Sequence, residues 1–226
     1  MPSPFPDNLL SDLDVALNEA ELHDTVVRAD IAEAMVVLRV LALPQVGPEP
    51  DARDRVLRLR LTQVGRVAAS LRLGRWDDEA AVVEPFALND LSGVVTSFGV
   101  QPIYGWEFFD PPASSWDRWR NRLSLDVEIA GGSQEHVVEL FQESGAGPAR
   151  HLDFRIWFNG MAAYDLERNP KELLEVAAAG KRWWEAMYAG DPRTQGHGIA
   201  SAGRPPEQPS SHDSRTCPPD RDSGRA

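Results

Sequence analysis

The sequence predicts an α+β protein that is mainly antiparallel β-sheet, either a sandwich or a strongly curved sheet, with an N-terminal and a C-terminal helix. Short runs in which apolar and polar residues alternate recur between residues 36 and 164, as they do in half-buried strands. Apolar residues at helical spacing are found near the two ends of this region. Turn-forming pairs, Gly131-Gly132 and Asn159-Gly160, separate successive runs, which is typical of antiparallel strands.

The first element is an amphipathic helix predicted over residues 7–22. Its apolar positions, three or four residues apart, are Leu10, Leu13, Leu17 and Ala20. Asp7 or Asn8 is available as its N-terminal cap. The period then changes to two, and residues 36–41 predict a strand that is buried on much of both faces.

A hairpin is predicted after the proline-rich loop 44–54. In residues 57–62 and again in 67–73 apolar residues alternate with polar ones, and Val64-Gly65 separates the two runs. One face of this hairpin is apolar and the other is rich in arginine. Residues 82–88 predict one further short strand.

An aromatic stretch follows, with residues 101–109 predicted as a strand in which Gly105 marks a bulge. Trp116 and Trp119 then share a face of a short helical turn, because they are three residues apart.

Three more strands are predicted, at residues 123–129, 136–142 and 152–158. Gly131-Gly132 is expected to join the first two as a hairpin, and Asn159-Gly160 to turn the third into residues 161–164.

The last helix is predicted to start at Asn169, with Pro170 at its first helical position and Glu172 completing the cap. The adjacent Trp183 and Trp184 point about 100° apart on a helix, so we expect at least one of them near the surface.

Length and charge limit the possible functions. The 226 residues divide into one domain, 1–190, and a disordered tail, 191–226, rich in Pro, Ser, Arg and Asp. The net charge is -12, and the charges of the tail cancel. The domain is therefore acidic, which argues against nucleic-acid binding and favours a basic protein partner.

Cysteine usage and hydropathy exclude further classes. Cys217 is the single cysteine, so an intrachain disulfide and a cysteine-based metal site are excluded. Residues 1–8 lack the features of a signal peptide, and no run of about 20 apolar residues could cross a membrane. We therefore expect a cytoplasmic protein without membrane attachment; the oligomeric state is not predicted.

An acidic row is the first candidate site. If Leu125 lies opposite Leu140, and Leu140 opposite Leu152, the apolar sides of three strands coincide. The reverse face then brings together Asp126, Glu139 and Asp153. Because like charges side by side are destabilising, this row predicts a docking face for a basic partner or a cation site. The alternative is a solvated strand face relieved by Arg155 nearby.

An aromatic cluster is the second candidate. Tyr104, Trp106 and Trp119 could line a ligand pocket or anchor an interface. The simpler alternative places them in the core, since Tyr104 and Trp106 are spaced to lie on one strand face.

No catalytic, cofactor-binding or metal-binding residues are predicted. Of the available serines, Ser70, Ser92 and Ser124, none lies in a Gly-x-Ser-x-Gly turn. His136 falls on the apolar side of its strand and is expected in the core.

One segment resembles a known family. Glu21-Leu22-His23-Asp24 and the strand Val56 to Val64 are similar to small bacterial toxin-immunity-like proteins, over residues 21–75. The resemblance implies a non-catalytic protein that binds a protein partner, and it transfers no functional residue. Residues 100–190 have no such counterpart.

Together these observations predict a non-enzymatic, immunity-like protein-binding module that uses an acidic β-face. The alternative is a small-ligand-binding protein or enzyme with an aromatic pocket around Tyr104, Trp106 and Trp119. A flat acidic face over a filled interior would favour the first, and a concave pocket lined by these aromatics would favour the second.

Overall fold

The structure, a computed structural model, describes residues 5–6, 8–75, 78–100, 102–103, 107–109, 121–144 and 148–195. It contains two antiparallel sheets, with a helix near each end of the described chain. The predicted fold class is therefore confirmed. Residues 196–226, most of the predicted tail, lie outside the described residues.

The described helices are α1 (Leu9–Leu17), α2 (Leu91–Thr96) and α3 (Leu173–Tyr188). The strands are β1 (Glu21–Arg28), β2 (Glu33–Arg39), β3 (Val56–Thr62), β4 (Arg66–Leu73), β5 (Val82–Val83), β6 (Glu107–Phe109), β7 (Leu125–Glu128), β8 (His136–Ser144), β9 (Arg150–Phe158), β10 (Gly160–Tyr164) and β11 (Pro170–Lys171). Short 3-10 helices span Ala29–Ile31, Leu88–Asp90 and Pro192–Thr194.

The strands are divided between a five-stranded and a six-stranded sheet. The five-stranded sheet has the order β1-β2-β3-β10-β11. The six-stranded sheet has the order β5-β4-β9-β8-β6, and β7 pairs with β4 beside β5.

The predicted hairpin at Val64-Gly65 is wrong. β3 belongs to the five-stranded sheet and β4 to the six-stranded one, so the chain turns a corner between the sheets instead of folding back. Gln63 takes a left-handed backbone conformation, φ +53, at this corner. The predicted turn at Asn159 is a second corner beside the first, since the Asn159 N–H donates to the Thr62 carbonyl. Strands that switch sheets through a bend build such corners.

The core lies between the sheets. Leucines at alternate positions of β3, Leu57, Leu59 and Leu61, are at most 4% exposed. They belong to the same buried cluster as Phe154 and Ile156 of β9. Burying a side chain of this size stabilises the fold by about 1.5–3 kcal/mol, so the alternation that predicted the strands also decides which face is inward.

Each helix contributes side chains to this core, among them Leu13 of α1, Leu91 of α2 and Ala177 of α3. α1 lies against α3, where Gly180 allows close approach: a Cβ on Gly180 would lie 2.4 Å from the Ala16 Cβ. α1 is shorter than the predicted helix 7–22, because residues from Glu21 onward pair with β2 as a strand.

The predicted start of the last helix is also wrong. α3 begins at Leu173, and Pro170–Lys171 instead pairs with β10. The Asn169 side chain closes a turn by donating to Asp165 Oδ2 at 3.0 Å, so it does not cap the helix.

Both tryptophans of α3 are buried, against expectation. Trp183 is 0% and Trp184 7% exposed, packed on Leu41 and Leu43 of the loop after β2. That loop covers the second indole, which a helix viewed alone would expose.

The described structure continues past Gly190, where the predicted domain ends. Residues Pro192–Thr194 form a 3-10 helix, and Thr194 is 8% exposed.

Among the described residues, no helix is long and apolar enough to span a membrane.

Candidate functional site

The three predicted carboxylates share the outer face of the six-stranded sheet, but they do not form a row. β7 pairs with β4, so Leu125 lies opposite Ala69, not opposite Leu140. β9 lies between β4 and β8, and this separates Asp126 from Glu139. The predicted register is therefore wrong, since Gly131-Gly132 does not close a hairpin.

Each of these carboxylates forms an ion pair with an arginine. Asp126 Oδ2 is 2.6 Å from Arg66 Nη2. Glu139 Oε2 is 2.7 Å from Arg155 Nη2, directly across β8 and β9. The third, Asp153, is paired with Arg72. The like-charge crowding that motivated the site is thus relieved within the sheet.

Asp153 lies in a covered part of this face. It is 8% exposed, and its neighbours Ser70 and His151 are 0% exposed. Burial raises the pKa of Asp153 to about 6, against the opposing effect of the Arg72 charge. Burial likewise lowers the pKa of His151. A buried carboxylate such as Asp153 is a poor contact for a basic partner. Docking of a basic partner through Asp126, Glu139 and Asp153 stays a prediction.

The second predicted site is the aromatic pocket. Tyr104, Trp106 and Trp119 lie outside the described residues. Phe108, from the same stretch, is 7% exposed and makes an edge-on contact with Phe158, with 6.3 Å between ring centroids. His136 is 4% exposed on the core side, as predicted.

The alternative prediction for the acidic row is a cation site. In the part of the chain that the structure describes, no three His, Cys, Asp or Glu residues are grouped to hold a metal ion.

A different surface combines concave shape with accessible charge, namely the outer face of the five-stranded sheet. Here β1, β2, β3 and β10 surround a concavity of about 490 Å³. We call it the arginine groove, and its lining residues are Asp24, Val26, Arg28, Met35, Val37, Arg58, Arg60, Tyr164 and Arg168.

Strand register places these side chains. One row across the sheet contains Asp24, Val37, Arg58 and Tyr164, and the next contains Val26, Met35, Arg60 and Ala162. A bulge in β1 between Leu22 and Asp24 brings Asp24 and Val26 to the outer face.

The floor of the groove is apolar. Val26 is 42% exposed, and Met35 and Val37 are half-buried beside it. These three adjoining apolar side chains leave some hydrophobic surface of the outer sheet face in contact with water.

Several charges of the groove are already paired. Glu33, at its edge, binds both Arg28 and Arg60. These contacts, first the hydrogen bond from Arg60, lower the pKa of Glu33. The interactions with Glu33, and after it with Tyr164, raise the pKa of Arg60. Asp24 Oδ1 accepts from Ser92 Oγ at 2.6 Å and from the Thr25 N–H at 2.8 Å.

Two arginines remain. Within the described part of the chain, no side chain forms a hydrogen bond or ion pair with the guanidinium of Arg58 or Arg168. Arg58 lies between the neutral Val37 and Tyr164 in its row. Arg168 has a left-handed backbone, φ +70, in a turn fixed by hydrogen bonds to Asp165. In a protein of net charge -12, these two cations over an apolar floor thus have no charged partner among the described residues.

A second cavity, of about 280 Å³, lies between the loop after β2 and α3. Its lining is mainly apolar, and its charged groups are largely paired: Arg55 with Glu49 and Lys171 with Asp165.

Sequence reasoning found only part of this site. The alternation of Arg58 and Arg60 with leucines predicted an arginine-rich strand face, but its neighbours Met35 and Tyr164 come from pairing between distant segments.

Comparison with known proteins adds no identity, because no protein-family model, curated protein or solved structure matches this chain.

Proposed function

We propose that this chain is a non-enzymatic protein-binding module whose contact surface is the arginine groove. The observation that carries the proposal is the partly exposed apolar floor of Val26, Met35 and Val37, bordered by arginines and Tyr164. Arginine, tyrosine and methionine are enriched at the centres of protein interfaces, and arginine and tyrosine, together with tryptophan, are also enriched among hot spots.

The construction of the groove supports a preformed binding surface. Four paired strands carry its floor and walls, and Glu33 holds Arg28 and Arg60 in place. A surface ordered before association loses less side-chain entropy when a partner binds. The resemblance of residues 21–75 to immunity-like proteins predicts the same class of function, a protein that binds a protein.

The test is partner capture with matched variants. Val26→Glu places a charge on the apolar floor, and Val46→Glu places the same charge on an equally apolar side chain that is 89% exposed outside the groove. The tagged full chain and both variants are used to capture partners from a lysate of the native source, after circular dichroism has shown equal folding.

A protein captured by the wild type and by Val46→Glu, but lost with Val26→Glu, supports the proposal. Loss with both variants, or with neither, contradicts a binding role for the groove.

A further inference from the structure

We infer that the arginine groove binds a carboxylate of its protein partner, and that Arg58 is the residue that receives it. This inference rests on the proposed function and names the chemistry of the partner. The overall composition favoured a basic partner, whereas this inference assigns the partner an acidic segment at the groove.

Charge pairing within the groove leads to Arg58. Asp24 is engaged by Ser92 and by a backbone N–H, and Glu33 by two other arginines. No described carboxylate is paired with Arg58. A half-buried guanidinium without a counter-charge gains most from an anion that arrives with the partner, because the hydrogen bonds formed are charge-assisted.

The chemistry of the anion follows from the surroundings. The planar guanidinium matches a carboxylate through two parallel N–H···O bonds. Met35 and Val37 beside it suit the apolar residues that flank a carboxylate in a protein segment. A polyanion such as nucleic acid is disfavoured, because the chain carries a net charge of -12 and long-range repulsion acts on every phosphate.

Neighbouring groups fix the site. Tyr164 lies next to Arg58 in its row and also contributes to raising the pKa of Arg60. Arg168 borders the same concavity from the turn that Asp165 closes. It provides a second cation for the same carboxylate or for one that follows it in the partner segment.

The experiment uses two capped peptides that differ only in charge, acetyl-Leu-Glu-Leu-amide and acetyl-Leu-Gln-Leu-amide. Binding to the full chain is followed through the arginine Nε–Hε resonances in ¹H–¹⁵N spectra, with the Arg58 signal assigned by its absence in Arg58→Gln. Arg53→Gln is the matched control, because Arg53 is 78% exposed outside the groove.

We expect the Glu peptide to shift the Arg58 resonance and to bind at least about tenfold more tightly than the Gln peptide, as for a hydrogen-bonded charge pair. Arg58→Gln should weaken binding of the Glu peptide by a similar factor, whereas Arg53→Gln should change it less than about twofold.

Equal binding of the two peptides, or equal loss in the two arginine variants, would overturn the inference. Inorganic phosphate that displaces the peptide at lower concentration than acetate would also overturn it, since the site would then select phosphate.

The two proposals fail separately. A captured partner that is lost with Val26→Glu but fully retained with Arg58→Gln leaves the binding function standing and refutes the carboxylate. A partner indifferent to Val26→Glu refutes the binding function whatever the peptides show.

Discussion

Replacing Gly180 with alanine should destabilise the protein, although alanine is the better helix former. A Cβ at this position would lie 2.4 Å from the Ala16 Cβ, 2.6 Å from its Cα and 2.9 Å from its carbonyl oxygen. Carbon atoms in favourable contact are about 3.5–4.0 Å apart, so α1 and α3 would have to separate by roughly 1 Å. Two of the three atoms belong to the backbone, and no side-chain rotation relieves them.

The two opposing effects differ in size. Overpacking costs about 1–3 kcal/mol, and rigid backbone neighbours place Gly180→Ala near the upper end. Removing the conformational freedom of glycine returns about 1 kcal/mol. We therefore expect the free energy of unfolding to fall by about 2 kcal/mol, and Tm by roughly 4–8 °C for a domain of this size.

Gly93→Ala in α2 is the matched control. A Cβ there meets nothing within 4 Å, so this variant should gain up to about 1 kcal/mol. Both variants are measured by urea and thermal unfolding, followed by circular dichroism. Adding Ala16→Gly to Gly180→Ala should restore only part of the loss, because two of the three close contacts remain. A Gly180→Ala protein as stable as the wild type would refute the close packing of α1 on α3.

Three further outcomes are expected. Burial raises the pKa of Asp14 from 3.8 to about 6, so its favourable contribution to folding is complete below pH 4 and is lost as the pH rises through 6. Asp14→Asn should therefore match the wild type at pH 4 and exceed it at pH 8 by about 1 kcal/mol, a value reduced from the full shift because the carboxylate is half exposed; urea titrations at both pH values check this, and an equal gain at pH 4 would contradict it. Truncation after Gly190 should lower Tm, because it removes the buried Thr194, whereas truncation after Gln195 should leave Tm unchanged; identical melting curves for the two truncations would contradict a packed 3-10 helix. Asp126→Asn breaks a partly exposed ion pair and should cost less than about 1 kcal/mol, and a larger loss in urea unfolding would show that the pair does more than an ordinary surface contact.

Local patterns predicted the strands because side-chain alternation depends on the strand itself. Residues 57–62, 67–73 and 152–158 were each predicted within two residues at either end, since burial of one face requires a period of two. The partners of these strands could not be predicted in the same way. Val64-Gly65 fits a tight turn equally well as a corner, and the choice depends on β9 and β10, which pair with β4 and β3.

The candidate site was predicted less well for the same reason. Asp126, Glu139 and Asp153 were placed on the outer face, which needs only alternation. Their neighbours needed the correct strand order, and β9 lies between the strands that were expected to pair. The arginine groove illustrates the same limit: Arg58 was visible in the pattern, but the apolar floor under it comes from β1 and β2.

The two corners also delay part of the strand pairing during synthesis. Each of the two strands at the first corner has one partner far along the chain: β3 pairs with β10 and β4 with β9, which follow by roughly 80 to 100 residues. Their other partners, β2 for β3 and β5 and β7 for β4, are nearer in the sequence. At ordinary rates of synthesis, roughly 5 to 20 s pass before β9 and β10 emerge. During that interval β3 lacks β10 and β4 lacks β9, so their apolar faces are incompletely covered. The nascent chain is then most exposed to aggregation or to capture by chaperones.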